Sequence, residues 1–457
     1  MIREMTHDRD FWRSVIMLTI PIALQNLLSN SLAIIDNLMI GKLGDLAVGA
    51  VGISAQIAFL VNVSLFGLSA GGSVFGAQYW GKKDLDGIRR TYGLVTLCCS
   101  AVSILASILI SLFPEFVLGL YTNSADIIRL GARYLRIAAF SYIGIAVNLC
   151  FCTILRSTEQ VKLPVISNLI SILVNVFLNG VLIFGLWGFP KMGIRGAAVA
   201  TVIASFVNPL VILVVALRKN LILKCPWKKM FAFPKGFVRK YFSITLPVFF
   251  NEIMWSLGVA GTNMVYGRMG ETNIAAMAIA RTVENIAVAW IVGLGNASAV
   301  MVGKAIGAGK RDKAQVYANR FTVLTPFFCL IIAALILFLR TPIVSLFSLS
   351  PESARTAAWL LAIYGMEMPL RNIPYISIIG VFRPGGDTTR GVLYDLCFLW
   401  CLSLPLTVFL GLVWKAPFLL VYTVMLLSED IPKAFLCIRF TLSGKWIHSV
   451  TEPEAVS

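Results

Sequence analysis

Charged residues are scarce in this 457-residue chain: Asp, Glu, Lys and Arg make up 13% of it, against 58% hydrophobic residues. A soluble domain carries about a quarter charged residues, so a water-facing globule is excluded and the bilayer becomes the principal solvent. Histidine is nearly absent, with only His7 and His448, one near each end. The nine cysteines form no CxxC pair and lie mostly inside apolar runs (Cys98, Cys99, Cys150, Cys152, Cys397, Cys401). Neither a metal site nor a disulfide framework is expected from such usage, and no cofactor beyond a coupling ion. No Walker sequence or HExxH pair supports nucleotide hydrolysis or metalloprotease chemistry, so the chain is not read as an enzyme. Acidic residues are also short, 22 against 39 basic ones, for a net charge of +17. In a soluble protein that balance suggests nucleic acid; here the siting of basic residues in loops on one side of a membrane explains it, and no nucleic-acid partner is expected.

What the chain has instead is a series of apolar runs of membrane-crossing length. Twelve helical segments are expected: residues 14–40, 46–79, 92–113, 127–155, 163–186 and 194–217, then 240–266, 272–302, 317–339, 354–382, 392–413 and 417–440. The first is too long for a signal-peptide core and is read as a retained helix. With the N-terminus placed inside, the outer side holds only Lys42, Arg129, Arg133, Lys191, Arg195, Arg268, Arg340, Arg355 and Lys415. The inner side carries nearly three times as many, which predicts a multi-pass protein of the cytoplasmic membrane with both termini cytoplasmic. The longest inner connection, with Lys224, Lys228, Lys229, Lys235 and Arg239, suits anionic lipid headgroups. It divides the chain into an N-terminal lobe (1–217), a linker (218–240) and a C-terminal lobe (241–457). The halves repeat: a constant shift of 226 residues pairs Pro21 with Pro247, Asn37 with Asn263, Gly41 with Gly267, Gly67 with Gly293 and Gly81 with Gly307. Six helices per half is an even number, so the repeat is parallel, with a substrate path expected between the halves and a monomer able to form all of it.

Within this apolar background the polar residues stand out. Asp36 lies among Ile34, Ile35, Leu38 and Met39, where a carboxylate costs about 2.5–3.5 kcal/mol on insertion scales. Two readings stand, a functional carboxylate and one that snorkels from the outer end of its helix. In segment five, Asn168, Ser171, Asn175 and Asn179 share one helical face, either as interhelical glue or as part of an ion site. Asp36, Asn175, Asn179 and the hydroxyl of Thr201 would make an oxygen set for a hard cation if segments one, five and six meet. Proton binding at Asp36 is the other coupling chemistry. The repeat does not duplicate this set, since Asp36 aligns with Thr262 and Asn26 with Glu252. The second half has its own charges: Glu252, Arg281 with Glu284, and Glu367 with Arg371, the last four spaced as intrahelical pairs. Gly67, Gly71, Gly72 and Gly76 read as helix packing.

These residues resemble the multidrug and toxic compound extrusion (MATE) family of secondary transporters. The similarity runs from Pro21 to about Arg439 and rests on Asp36–Asn37 before Gly41, on Asn175 and Asn179 followed by LIFG and GFPKMGIRGAA with Thr201, on PVFFNE and TNMVYGRMG, on GLGNASAVMVGKAIGAGK, and on Arg383 ahead of GGDT. The resemblance implies an all-α membrane protein of twelve helices in two six-helix lobes around a V-shaped cavity. It also implies export of small organic, often cationic, compounds in exchange for H+ or Na+. It places the coupling cation at Asp36, Asn175, Asn179 and Thr201, with Asn179 standing where some members carry a second aspartate. Members with a carboxylate on helix ten place it near Asn372 here, so Glu252, Glu367 and Glu284 are the remaining C-lobe candidates for coupling or substrate. A lipid-linked oligosaccharide flippase of the same superfamily is the competing function; the scarcity of membrane arginines favours cationic substrates.

Overall fold

The computed structural model describes residues 8–347 and 350–451, without the side chains of Trp227 and Glu271; His7 lies outside the described residues. Among the described residues there is no β-strand. Twelve helical spans follow one another: α1 (Arg9–Gly41), α2 (Asp45–Lys82), α3 (Leu85–Leu112), α4 (Ala125–Ala138 continued by Ser141–Ser157), α5 (Lys162–Phe184) and α6 (Ile194–Arg218). Then come α7 (Phe237–Arg268), α8 (Glu271–Gly307), α9 (Arg311–Ser345), α10 (Pro351–Tyr375), α11 (Thr388–Val413) and α12 (Phe418–Ser443). Each expected apolar segment falls on one of them. Among the described residues, nine helices are long and apolar enough to cross a membrane, or ten if the two parts of α4 count as one bent span. The other two, α10 and α12, carry Glu367, Arg371, Glu429, Asp430 and Lys433 inside their apolar stretches, which lowers their hydropathy without shortening them.

Local chemistry explains the boundaries that the apolar runs alone leave open. The side chain of Asp84 caps α3 by accepting from Gly87 N–H at 2.8 Å. The expected fourth segment bends by 46° between its two parts. There Ser107 of α3 donates to the Ala139 carbonyl at 2.7 Å, a side-chain partner inserted at the break. Beyond Tyr375 the chain continues as a π-helical stretch, Ile376–Phe382, entered through Pro374, whose missing N–H loosens the ladder. The five residues Gly67–Gly71 spell GxSxG, as at a hydrolase nucleophile elbow. They lie inside continuous α2, however, with the Ser69 hydroxyl bonded to Phe66 carbonyl, and lack the strand-to-helix turn that an elbow requires.

By packing, the described chain forms two units. One takes in Met1–Ala23, Ala77–Lys83 and Phe250–Ser457, the other Leu24–Gly76 and Asp84–Phe249. The first half of α1 therefore packs with the second half of the sequence, and the first half of α7 with the first. The repeat extends to these contacts. In one unit Gly67 of α2 lies against Phe249 of α7, where an added Cβ would be 2.8 Å from Phe249 Cα. In the other, Gly293 of α8 lies against Thr19 and Ala23 of α1, the equivalents of Thr245 and Phe249. Gly71, Gly72 and Gly76 give close approach to Thr245, Val95 and Ser157, so the glycine stripe of α2 does serve packing.

The entry to α1 is fixed by an ion pair. Asp8 caps the helix by accepting from Phe11 N–H at 3.0 Å, and its other oxygen accepts from Arg320 of α9, whose guanidinium also sits over the buried Phe11 ring. The Arg320 hydrogen bond, with help from the Phe11 amide, holds the Asp8 carboxyl below its ordinary range. A depressed carboxyl stabilises the fold above its unfolded value near 4 and loses that contribution as pH falls through the folded value. Because Asp8 is about one-third exposed, the contribution is about 1 kcal/mol at most. Asp8→Ala should lower the thermal midpoint in detergent slightly at pH 7, and the gap to wild type should close below about pH 4.

Candidate cation site

Helices α1 and α5 bring Asp36, Asn175 and Asn179 into one hydrogen-bonded group. Asn179 of α5 donates from Nδ2 to Asp36 Oδ1 of α1 at 2.7 Å and to Asn175 Oδ1, one turn back, at 2.9 Å. Both amide hydrogens of Asn179 are thereby used, while its Oδ1 is buried without a hydrogen-bond partner. Asn175 and Asn179 are each 2% exposed and Asp36 is half-buried. Among the described residues no lysine or arginine forms an ion pair with Asp36, and its hydrogen-bond partner is the Asn179 amide. A carboxyl, a bridging amide and an amide oxygen without a partner therefore meet, a set of oxygens whose chemistry suits a proton or a hard cation.

Thr201 reaches this group through a residue the sequence reading did not single out. Its hydroxyl bonds back to Ala197 carbonyl at 2.9 Å and lies within hydrogen-bonding reach of Tyr134 of α4, which also faces Asp36. Tyr134 shares a half-buried stripe of its helix with Ile127 and Leu130, packed on a core of Ile40, Ala50, Ile183 and Ala197. A phenol on an apolar stripe needs a polar partner, and that was the available signal.

The polar stripe of α5 makes two kinds of contact. Asn168 donates to Gln25 carbonyl and Ser29 of α1, and Ser171 donates to Ala204 carbonyl of α6 at 2.7 Å. Those two hold helices together, whereas Asn175 and Asn179 serve the carboxylate.

The C-terminal candidates form a separate constellation. Glu252 of α7 accepts from Arg383 at 2.7 Å, a partner 131 residues away and therefore invisible to helical spacing. The pairing of Arg281 with Glu284 expected from their spacing is not what forms. Arg281 turns to Asn263, and Glu284 accepts from Tyr422 of α12 at 2.9 Å. Lys433 of α12 bonds Glu429 at 2.7 Å and Asp395 of α11 at 2.8 Å, and Asp395 also accepts from Asn251. Glu367 is 5% exposed and both its carboxyl oxygens are buried without hydrogen-bond partners.

The comparisons with known proteins agree with this architecture. The MatE family model matches residues 21–181 and again residues 247–409, two copies that start 226 residues apart. The chain belongs to the MatE family of multi-pass membrane transporters. Over 442 residues it is 24% identical to the probable multidrug resistance protein NorM of Thermotoga maritima, spanning 95% of this chain and 93% of that one. It is 26% identical over 416 residues to the uncharacterized transporter YisQ of Bacillus subtilis, spanning 89% and 88%. Among solved structures, a mutant of the Vibrio cholerae MATE transporter VcmN superposes with a TM-score of 0.85 at 17% identity, over 95% of this chain and 96% of the other. That likeness shows the fold, twelve helices in two lobes.

Proposed function

We propose that the protein is a secondary antiporter of the cytoplasmic membrane that exports small organic cations, drugs and toxins among them, in exchange for H+ or Na+. The observation that carries this reading is the half-buried Asp36 carboxyl, bonded by the Asn179 amide, beside the buried Asn179 oxygen that has no hydrogen-bond partner. The named multidrug relatives support the substrate class. Coupling then follows from differential binding: the ion favours one orientation of the transporter and the organic cation the other. Asp36 binds the ion, Asn175 and Asn179 supply amide oxygens, and Thr201 completes the set through its hydroxyl. On this reading both termini face the cytoplasm, a single chain surrounded by lipid suffices, and neither a cofactor nor a chemical transformation of the substrate is involved. Glu252 and Glu284, each already bonded, fit a substrate-facing or structural role better than ion binding.

Proteoliposomes test this directly. An imposed inward sodium gradient or an inward proton gradient, each applied alone, should drive exit of an organic cation such as ethidium, with one of the two at least tenfold more effective. Equal leak under both gradients would remove the antiport reading. Binding of a lipid-linked sugar without any effect on drug susceptibility would favour the flippase instead.

A further inference from the structure

The chain does not run free beyond α12. Gly444, with φ 68°, closes the helix and turns the backbone. Two residues on, Trp446 is fully buried in a core drawn from Val302 and Ile306 of α8, Ala318 of α9, Phe382 and Phe440. Its indole N–H donates to the Thr441 carbonyl at 3.0 Å. The next residues lie along the turn that precedes α11: Ile447 makes an antiparallel bridge with Gly386, and His448 N–H donates to the Gly385 carbonyl at 2.7 Å. Those contacts account for the two glycines of the GGDT motif. A Cβ on Gly385 would come within 2.5 Å of the Trp446 ring. Gly386 takes φ 82°, with the His448 carbonyl oxygen 2.9 Å from where its Cβ would stand. The segment then reaches α2. Gln78, fully buried, donates to the His448 carbonyl at 3.2 Å and accepts from Val450 N–H at 2.8 Å. Lys82 donates to the Thr451 carbonyl at 3.1 Å. The tail therefore has two parts: an apolar anchor, Trp446, and a polar end whose backbone makes three bonds to two side chains of α2.

The last turns of α2, from Ala77, pack in the tail's own unit, whereas the rest of that helix packs in the other. The same turns make the close backbone contact with α8 at Gly81 and Gly307. A transporter built from repeats exposes its pathway alternately by rocking one half against the other, so helix ends on the inner side must part once per cycle. If α2 moves as one body, Gln78 and Lys82 leave residues 448–451 behind. We propose that His448–Thr451 is a latch. It fastens the inner end of α2 while that side is closed, and it lets go of Gln78 and Lys82, but not of the Trp446 anchor, each time that side opens. Hydrogen bonds suit repeated release because water replaces each of them. The indole, once out of its core, would find no such substitute. The latch's place in a transport cycle rests on the reading above; the docked segment does not.

Fixing the tail in place distinguishes a latch from a strap that stays bound throughout. In the double variant Lys82→Cys/Thr451→Cys a short bis-maleimide should join the tail to α2. Proteoliposomes of the cross-linked protein should lose at least tenfold of gradient-driven tetraphenylphosphonium efflux. Each single variant, treated identically, should keep it, which accounts for reaction at the exposed Cys397 and Cys401. Undiminished efflux from the cross-linked protein would overturn the latch. Hydrogen exchange gives a second reading without transport. A chain ending at Ile447 keeps the anchor and should exchange at least tenfold faster over residues 77–83, with exchange in α5 and the thermal midpoint unchanged. A chain ending at Thr451 should match wild type. Unchanged exchange over 77–83, or an equal rise in every helix, would make the tail a structural cap and overturn the proposal. If the double variant fails to fold, the chain ending at Ile447 carries the test. Failure of the antiport reading would show instead as no gradient-driven efflux in untreated wild type, with the exchange difference still present.

Discussion

Cells producing Asp36→Asn should be as susceptible to the exported compounds as cells lacking the transporter, while the variant accumulates in the membrane at wild-type levels. The substitution keeps the side chain's size and its acceptor oxygen, so the 2.7 Å contact from Asn179 can persist. It removes the charge, and with it the attraction for a sodium ion or the capacity to bind and release a proton. An amide is also cheaper than a carboxylate inside a membrane helix, so insertion and folding gain rather than lose. What disappears is the difference in ion affinity between the two orientations. Coupling energies of about 1–3 kcal/mol correspond to roughly 5–150-fold in affinity, and without them an imposed gradient has nothing to act on. The expected result is gradient-driven efflux at the level of empty liposomes, with organic-cation binding to the purified protein retained. Full resistance in cells carrying Asp36→Asn would sink the assignment. Asn179→Ala should be weaker, since it deletes a positioning amide and leaves the carboxylate.

Particular residues show how far the sequence could be read. The twelve apolar segments were legible because a bilayer demands helices of a set length and leaves periodicity little else to encode. The cost of Asp36 and the polar stripe on one face of α5 marked these residues, but spacing left open whether their helices meet; only the family resemblance grouped Asp36 with Asn175 and Asn179. Tyr134 was missed: its phenol signalled a need for some polar partner, but an apolar stripe does not say which one. The second unit was read less well. Helical spacing predicted a pairing of Arg281 with Glu284, but Asn263 and Tyr422 hold those side chains. Spacing sees only one helix, whereas α7, α8, α10, α11 and α12 each bring charges from far along the chain. Glu252 with Arg383, and Asp395 with Lys433, are contacts of that kind. The division of α1 at Ala23 was not read from the sequence, although Pro21 lies two residues before it and Pro247 two residues before the matching division of α7.

Gly307→Ala should leave little monodisperse protein, although it adds a single methyl group. An added Cβ on Gly307, at the end of α8, would lie 1.8 Å from the carbonyl oxygen of Gln78 on α2. The repeat supplies the reciprocal contact: a Cβ on Gly81 would lie 2.0 Å from the carbonyl oxygen of Lys304. Both obstacles are backbone, so no side-chain rotation relieves them, and the two helix ends would have to separate by more than an ångström. Gln78 resists that movement. Its Nε2 donates to the Pro384 carbonyl at 2.8 Å and to the His448 carbonyl at 3.2 Å, and its Oε1 accepts from Val450 N–H at 2.8 Å. Overpacking costs about 1–3 kcal/mol, and each hydrogen bond given up adds about 1 kcal/mol. Together these approach the whole stability of an ordinary domain, about 5–15 kcal/mol. Gly52→Ala in α2 is the matched control, because nothing lies within 4 Å of its added Cβ. In an open helical position alanine is preferred over glycine by about 0.5–1 kcal/mol, so that variant should match or exceed wild type. Fluorescence-detected size exclusion and thermal unfolding of the two variants side by side make the comparison. A wild-type profile and midpoint for Gly307→Ala would mean that α2 and α8 cross less closely than their glycines allow.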